Sequence, residues 1–214
     1  ADNDPLQRLA ARTNFVDIDG LAVGWHDYRA YRASHTCAPA LLILSSVLHE
    51  IASFQNLDAF WMEVEHAAPE YITIRDMSLP KSYGQIETPS SFLHALPEDE
   101  LDRINQHASL WGDLGTLSSF IHYILKRPYT HDWKRELREN YVARPAEDLV
   151  SLLTSGPYHI VHARPTATPH FIKRNREELG IDLTGITTHM EIVLRHNESA
   201  HFVSKARERR AVDA

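Results

Sequence analysis

The stretch that most constrains this chain is ALLILSSVLHEI, residues 40–51, an apolar run that passes directly into serines, a histidine and a glutamate. A run without polar alternation suits a strand covered on both faces, as in a parallel sheet, because a half-exposed strand alternates with a period of two. Downstream, NLDAFWMEVEHAA at 56–68 places Leu57, Phe60, Trp61, Val64 and Ala68 at helical spacing, with Asn56 positioned to cap the helix and Pro69 to end it. YITIRDM at 71–77 then alternates as a strand, with Tyr71, Thr73 and Arg75 on one face and Ile72, Ile74 and Asp76 on the other. Strand, helix and strand in this order predict a right-handed βαβ crossover, and with it an α/β sheet.

Elements of the same kind flank that unit. NFVDID at 14–19 and LAVGW at 21–25 read as short strands, and residues 78–91, rich in Pro, Ser, Gly and Lys, as an exposed loop. Helices are predicted over 97–109, 113–126, 131–140 and 145–154, a strand over 158–165, a helix over 169–179 stopped by Gly180, and a last strand over 188–196. The helices after residue 77 therefore form an insertion, 78–145, within a single domain spanning 1–214.

Charge and cysteine content narrow the function classes. A formal charge of −7 argues against coating nucleic acid through bulk electrostatics. Cys37 is the one cysteine beside fourteen histidines, so an internal disulfide or a cysteine-based zinc site is excluded and a reducing compartment is expected. No apolar run is long enough for a membrane span and no apolar leader is present, so a soluble, cytoplasmic protein is expected.

Ligands of open α/β sheets sit outside the carboxyl ends of the strands. Polar groups gather at those ends here: Asp17 and Asp19 at the end of the strand at 14–19, Ser45 and Ser46 with His49 and Glu50 just after the apolar run that begins at 40, and Arg75 and Asp76 at the end of the strand at 71–77. Each has a plainer use as well. The aspartates could cap a turn, the serines could cap a helix, His49 and Glu50 could face solvent, and Arg75 with Asp76 could form an ion pair at the start of a loop.

LLILSSVLHEI, the FW pair that follows, and PEYITIRDMSLP together resemble a group of class I S-adenosylmethionine-dependent methyltransferases of bacterial and phage genomes. WKRELRENY, FIKRNREELGIDL and THMEIVL extend the resemblance over roughly residues 40–196. It implies a Rossmann-like, mostly parallel sheet closed by an antiparallel last strand, with S-adenosylmethionine as cofactor. Asp17 or Asp19 would hold the ribose hydroxyls and Asp27 the adenine side. Leu44 to Leu48, with Ser45 and Ser46, would line the cofactor's methionine end. His49 would serve as general base, Glu50 would lie close to it, and Arg75 and Asp76 would anchor substrate or brace the loop. The helices of 78–145 would form a lid, and the methyl acceptor would be a small molecule or nucleic acid, RNA or DNA, on which Trp111, Tyr123, Tyr129 or Trp133 could stack. The glycine-rich turn of the family's first strand has no counterpart in residues 1–19. The expectation is therefore a chain that is part of a longer polypeptide, or a reduced relative serving as a catalytically inactive binding or assembly module.

Other chemistries fit less well. His159 and His162 at odd spacing in a strand are expected on opposite faces, and Ser53 stands where a zincin HExxH motif needs its second histidine. Ser45 and Ser46 lack the GxSxG elbow of a serine hydrolase. KRELR at 134–138 alternates in sign and reads as a solvated helix face.

Overall fold

The computed structural model describes residues 41–197, which fall within residues 40–214, the second of the two units into which the chain divides. The strands expected at 14–19 and 21–25, and with them Asp17, Asp19 and Asp27, lie outside the described residues. The described part opens with strand β1 (Leu41–Ser45), helices α1 (Leu48–Phe54) and α2 (Leu57–Ala67), and strand β2 (Tyr71–Met77). Helices α3 (Ser90–His94), α4 (Leu101–Trp111), α5 (Leu117–Lys126), α6 (Trp133–Glu136) and α7 (Ala146–Leu153) follow. Strand β3 (Tyr158–Thr166), helix α8 (Pro169–Leu179) and strand β4 (His189–His196) complete it.

The four strands form one open sheet in the order β1-β2-β4-β3. β1 and β2 are parallel, whereas β4 runs antiparallel to both of its neighbours. The last strand is antiparallel as expected, but the pairing is mixed rather than mostly parallel. Because β4 inserts between β2 and β3, one reversed strand makes two of the three interfaces antiparallel.

Local signals explain the βαβ unit. Asn56 accepts a hydrogen bond from the Ala59 N–H at 3.0 Å and starts α2, and Ala68 in the left-handed region, φ 46°, ends it before Pro69. In β2, Ile72, Ile74 and Asp76 are buried, and Tyr71, Thr73 and Arg75 are half-buried. Leu48 of α1, Leu57 at the start of α2 and Leu149 of α7 line one small gap with Asp76, so these three helices cover the Asp76 face. The opposite face is more open: Leu41 is 49% and Ile43 58% exposed. The expectation of a strand covered on both faces therefore fails for β1. It is an edge strand among the described residues, and its apolar run marks one buried face, not two.

A second apolar cluster joins Leu79, helix α5 (Phe120, Ile121, Ile124) and Tyr141 to Phe171, Leu179 and Leu183 around α8. It ties the inserted helices to α8 and the segment that follows it. Residues 78–91 are not a plain exposed loop. Ser78, Leu79 and Thr88 are buried, and Ser78 Oγ and Thr88 Oγ1 donate to the carbonyls of Arg144 (2.9 Å) and Leu114 (2.7 Å). The helix expected from 113 begins at 117, because Asp113 instead accepts the Gly115 N–H at 2.9 Å in a turn and Thr116 caps α5. In β3 a bulge at Val161 sets His159 opposite Arg195 and His162 opposite Val193, so the two histidines share a face after all. Among the described residues no helix is long and apolar enough to cross a membrane.

Candidate functional site

β1 ends at Ser45, and Ser46 turns the chain in the left-handed region, φ 52°, while its N–H still donates to the Arg75 carbonyl at 2.7 Å. That turn launches α1 with Val47 as its N-cap, a side chain unable to accept a hydrogen bond. Asp76, buried to 1% exposure, supplies the acceptor from the neighbouring strand. Its Oδ2 accepts from the N–H groups of Val47 (2.8 Å) and Leu48 (2.5 Å), and its Oδ1 from the Met77 N–H (2.7 Å). The serines are therefore not the helix cap; an aspartate from β2 performs that task.

The same Oδ1 lies 2.6 Å from Nδ1 of His49. Three backbone N–H groups already donate to this carboxylate, so it acts as an acceptor and Nδ1 is the donor. Neutral His49 then carries its lone pair on Nε2, which has no hydrogen-bond partner among the described residues. The ring packs edge-on against Tyr141, centroids 5.0 Å apart. Arg75 and Asp76 do not form an ion pair, since alternation puts them on opposite faces of β2.

Glu50 pairs with Arg135 at 3.2 Å, and Arg135 Nε also lies 2.7 Å from Glu139. Residues 133–141 are shaped by Lys126, which is fully buried at the end of α5. Its ammonium donates to the carbonyls of Glu136 and Glu139 and sits 4.2 Å from the Tyr141 ring centroid. Those carbonyls face a lysine instead of continuing a helix, so the helix expected over 131–140 ends as α6 at Glu136. Burial pushes Lys126 down to about 8, against the opposing pull of Glu136 and Glu139. Burial and the neighbouring Glu136 raise the Glu139 carboxyl, with Arg135 opposing. The Tyr141 hydroxyl donates to Glu136 and is raised by its burial and by that carboxylate.

A cavity of about 410 Å³ lies beside these groups at the carboxyl ends of β1, β2 and β3. Ser46, His49, Glu50 and Arg75 form one part of its wall, Tyr129, Arg135, Glu139 and Tyr141 another, and His170, Phe171, Arg174 and His189 a third. His189 is lowered to about 4, chiefly by burial and then by Arg75, so it is neutral near pH 7; its Nδ1 lies 2.7 Å from Thr188 Oγ1. Beyond the wall, His107 Nε2 and His122 Nδ1 lie 3.1 Å apart, and His122 Nε2 accepts the Tyr141 N–H at 3.3 Å. Burial, then Lys126, lowers His107 to about 4 and His122 to about 2.

One ring nitrogen of His49 and a carboxylate oxygen from each of Glu50 and Glu139 lie within 4.8 Å of one another. This trio could hold a divalent cation, but only by displacing Arg135, which already pairs with both carboxylates.

Of the residues expected in the site, Ser46, His49, Glu50 and Arg75 line the cavity and Asp76 stands directly behind His49. Leu48 faces the small gap behind the dyad, and Ser45 is exposed and lines neither space. Among the aromatics expected to stack on a base, Tyr129 alone lines the cavity. Tyr123 is fully buried, and the indoles of Trp111 and Trp133 donate to the Leu137 carbonyl and to Gln106. Lys126, Glu139 and Tyr141 carry no sequence signal as site residues, whereas Arg135 and Arg174 fall in the basic clusters KRELR at 134–138 and KRNR at 173–176, and His189 follows the closely spaced histidines of 159–170. KRELR, taken for a solvated face, has Arg135 and Glu136 on the cavity wall. No protein-family model matches the sequence, and no curated protein matches it significantly.

Proposed function

We propose that this protein transfers a methyl group from S-adenosylmethionine to an acceptor held in the cavity at the strand ends. The observation that carries the proposal is the His49–Asp76 pair, 2.6 Å apart, which unites SSVLHE and IRDM, the two motifs of the resemblance. Asp76 orients the imidazole, and Nε2 takes the proton that the acceptor's oxygen or nitrogen gives up as it attacks. S-adenosylmethionine, when bound, supplies a sulfonium methyl whose bonding pair departs with sulfur. Tyr141 and Phe171 line the cavity and hold water off the reacting atoms. The antiparallel last strand, seated between β2 and β3, is the closure that the resemblance implies.

Calorimetric titration of the full-length protein with S-adenosylmethionine tests this reading. Saturable binding, weakened by Asp17→Ala, is expected. A folded protein that binds no cofactor leaves the binding or assembly module as the better description.

A further inference from the structure

The charges around the cavity do not balance locally. Glu50 and Glu139 share Arg135, and Glu136 accepts the Tyr141 hydroxyl beside Lys126. Every acid on the wall is thus matched by a group of the protein itself. The side chains of Arg75 and Arg174 are not: neither guanidinium forms an ion pair or hydrogen bond with a described residue. Glu191, opposite Arg75 in the β2–β4 ladder, feels the Arg75 charge but gives its ion pair and hydrogen bond to Arg164 at 2.6 Å. Arg174 goes further, since its Nε is buried with no partner. A guanidinium nitrogen shut away from water without an acceptor is costly, and an anionic ligand would remove that cost.

Arg174 lies on α8, whose first turn also reaches the cavity through Thr168, His170 and Phe171. Pro169 occupies that first turn and no side chain caps it. Two arginines from different elements and an uncapped helix start therefore converge on one space. Planar guanidinium forks suit the paired oxygens of a phosphate or carboxylate better than a neutral group.

We propose that the methyl acceptor carries an anionic group, a phosphate or a carboxylate, and that Arg75 and Arg174 clamp it in this cavity. The inference rests on the cavity being the acceptor site. The methionine carboxylate of S-adenosylmethionine offers the same chemistry, so the test separates the two sources.

Inorganic phosphate is titrated into the full chain, followed by calorimetry and by the NMR signal of the Arg174 side-chain Nε–H. Saturable binding with a shift of that signal is expected, in the presence of S-adenosylmethionine as in its absence. Arg75→Gln and Arg174→Gln should each weaken binding by about tenfold or more, the loss of one charged hydrogen-bonding partner. Lys173→Gln, which removes an equal charge from an exposed position of α8, should change it less than about twofold. The wild-type NMR shift needs no variant, so a misfolded substitution does not protect the idea. No saturable binding, an unmoved Arg174 signal, or equal weakening by Lys173→Gln overturns it. Competition between phosphate and S-adenosylmethionine assigns the arginines to the cofactor and also overturns it. Phosphate binding by a protein that ignores S-adenosylmethionine would keep the anion site and discard the methyl-transfer reading.

Discussion

Acidification from pH 7 to pH 5 should unfold this protein through three histidines. His107 and His189 are held near 4 and His122 near 2, all below the ordinary 6.5, with burial as the leading cause. A lowered folded-state pKa means that the unfolded chain binds protons which the folded chain refuses. Stability is therefore intact above pH 6.5 and is lost as pH falls toward about 4. Each refused proton is worth about 1.4 kcal/mol per pH unit, so three give a slope approaching about 4 kcal/mol per unit. Integrated from pH 7 to pH 5 the loss is about 5 kcal/mol, comparable to the whole stability of many domains. The raised carboxyl of Glu139 acts in the opposite direction but is one group against three. Urea unfolding followed by tryptophan fluorescence at several pH values reads the slope directly. His122→Gln should flatten it by about one proton, roughly 1.4 kcal/mol per unit. A free energy of unfolding that stays within about 1 kcal/mol from pH 7 to pH 5 would refute the reasoning.

Other expectations follow from single contacts. Asp76→Asn should cost about 2 kcal/mol and, with its amide nitrogen donating to Nδ1, move the His49 proton to Nε2; imidazole nitrogen shifts unchanged from wild type would contradict this. Ala68→Gly should stabilise by about 1 kcal/mol in thermal unfolding, because Ala68 ends α2 in the left-handed region, and a loss of stability would show that its side chain matters more. Lys126→Met should destabilise by about 3 kcal/mol, since the carbonyls of Glu136 and Glu139 lose their donor, and near-wild-type denaturant midpoints would show that water replaces it.

How much was legible in the sequence depended on whether a signal was local. Asn56, Pro69 and the alternation of YITIRDM placed α2 and β2 within a residue, and Gly180, φ 67°, stopped α8 where expected. His49, Glu50 and Arg75 could be placed on the rim because strand ends are readable from apolar runs. Their partners could not. The capping of α1 comes from Asp76, 28 residues after Leu48, and no local pattern announces an acceptor borrowed from another strand. Residues 131–140 failed for the same reason, as the helix is cut short by Lys126 from α5, a contact no periodicity encodes. The shared face of His159 and His162 turns on a one-residue bulge, and strict alternation hides such an insertion.

The most direct test of the account places the cofactor beside His49. The full-length protein, labelled with nitrogen-15 in its histidine side chains, is titrated with S-adenosylmethionine and followed by NMR. The account predicts that the His49 resonances shift on saturation while those of His107 and His122, behind the wall, hold still. Saturable binding that leaves His49 unmoved, or no binding by a folded protein, would contradict it.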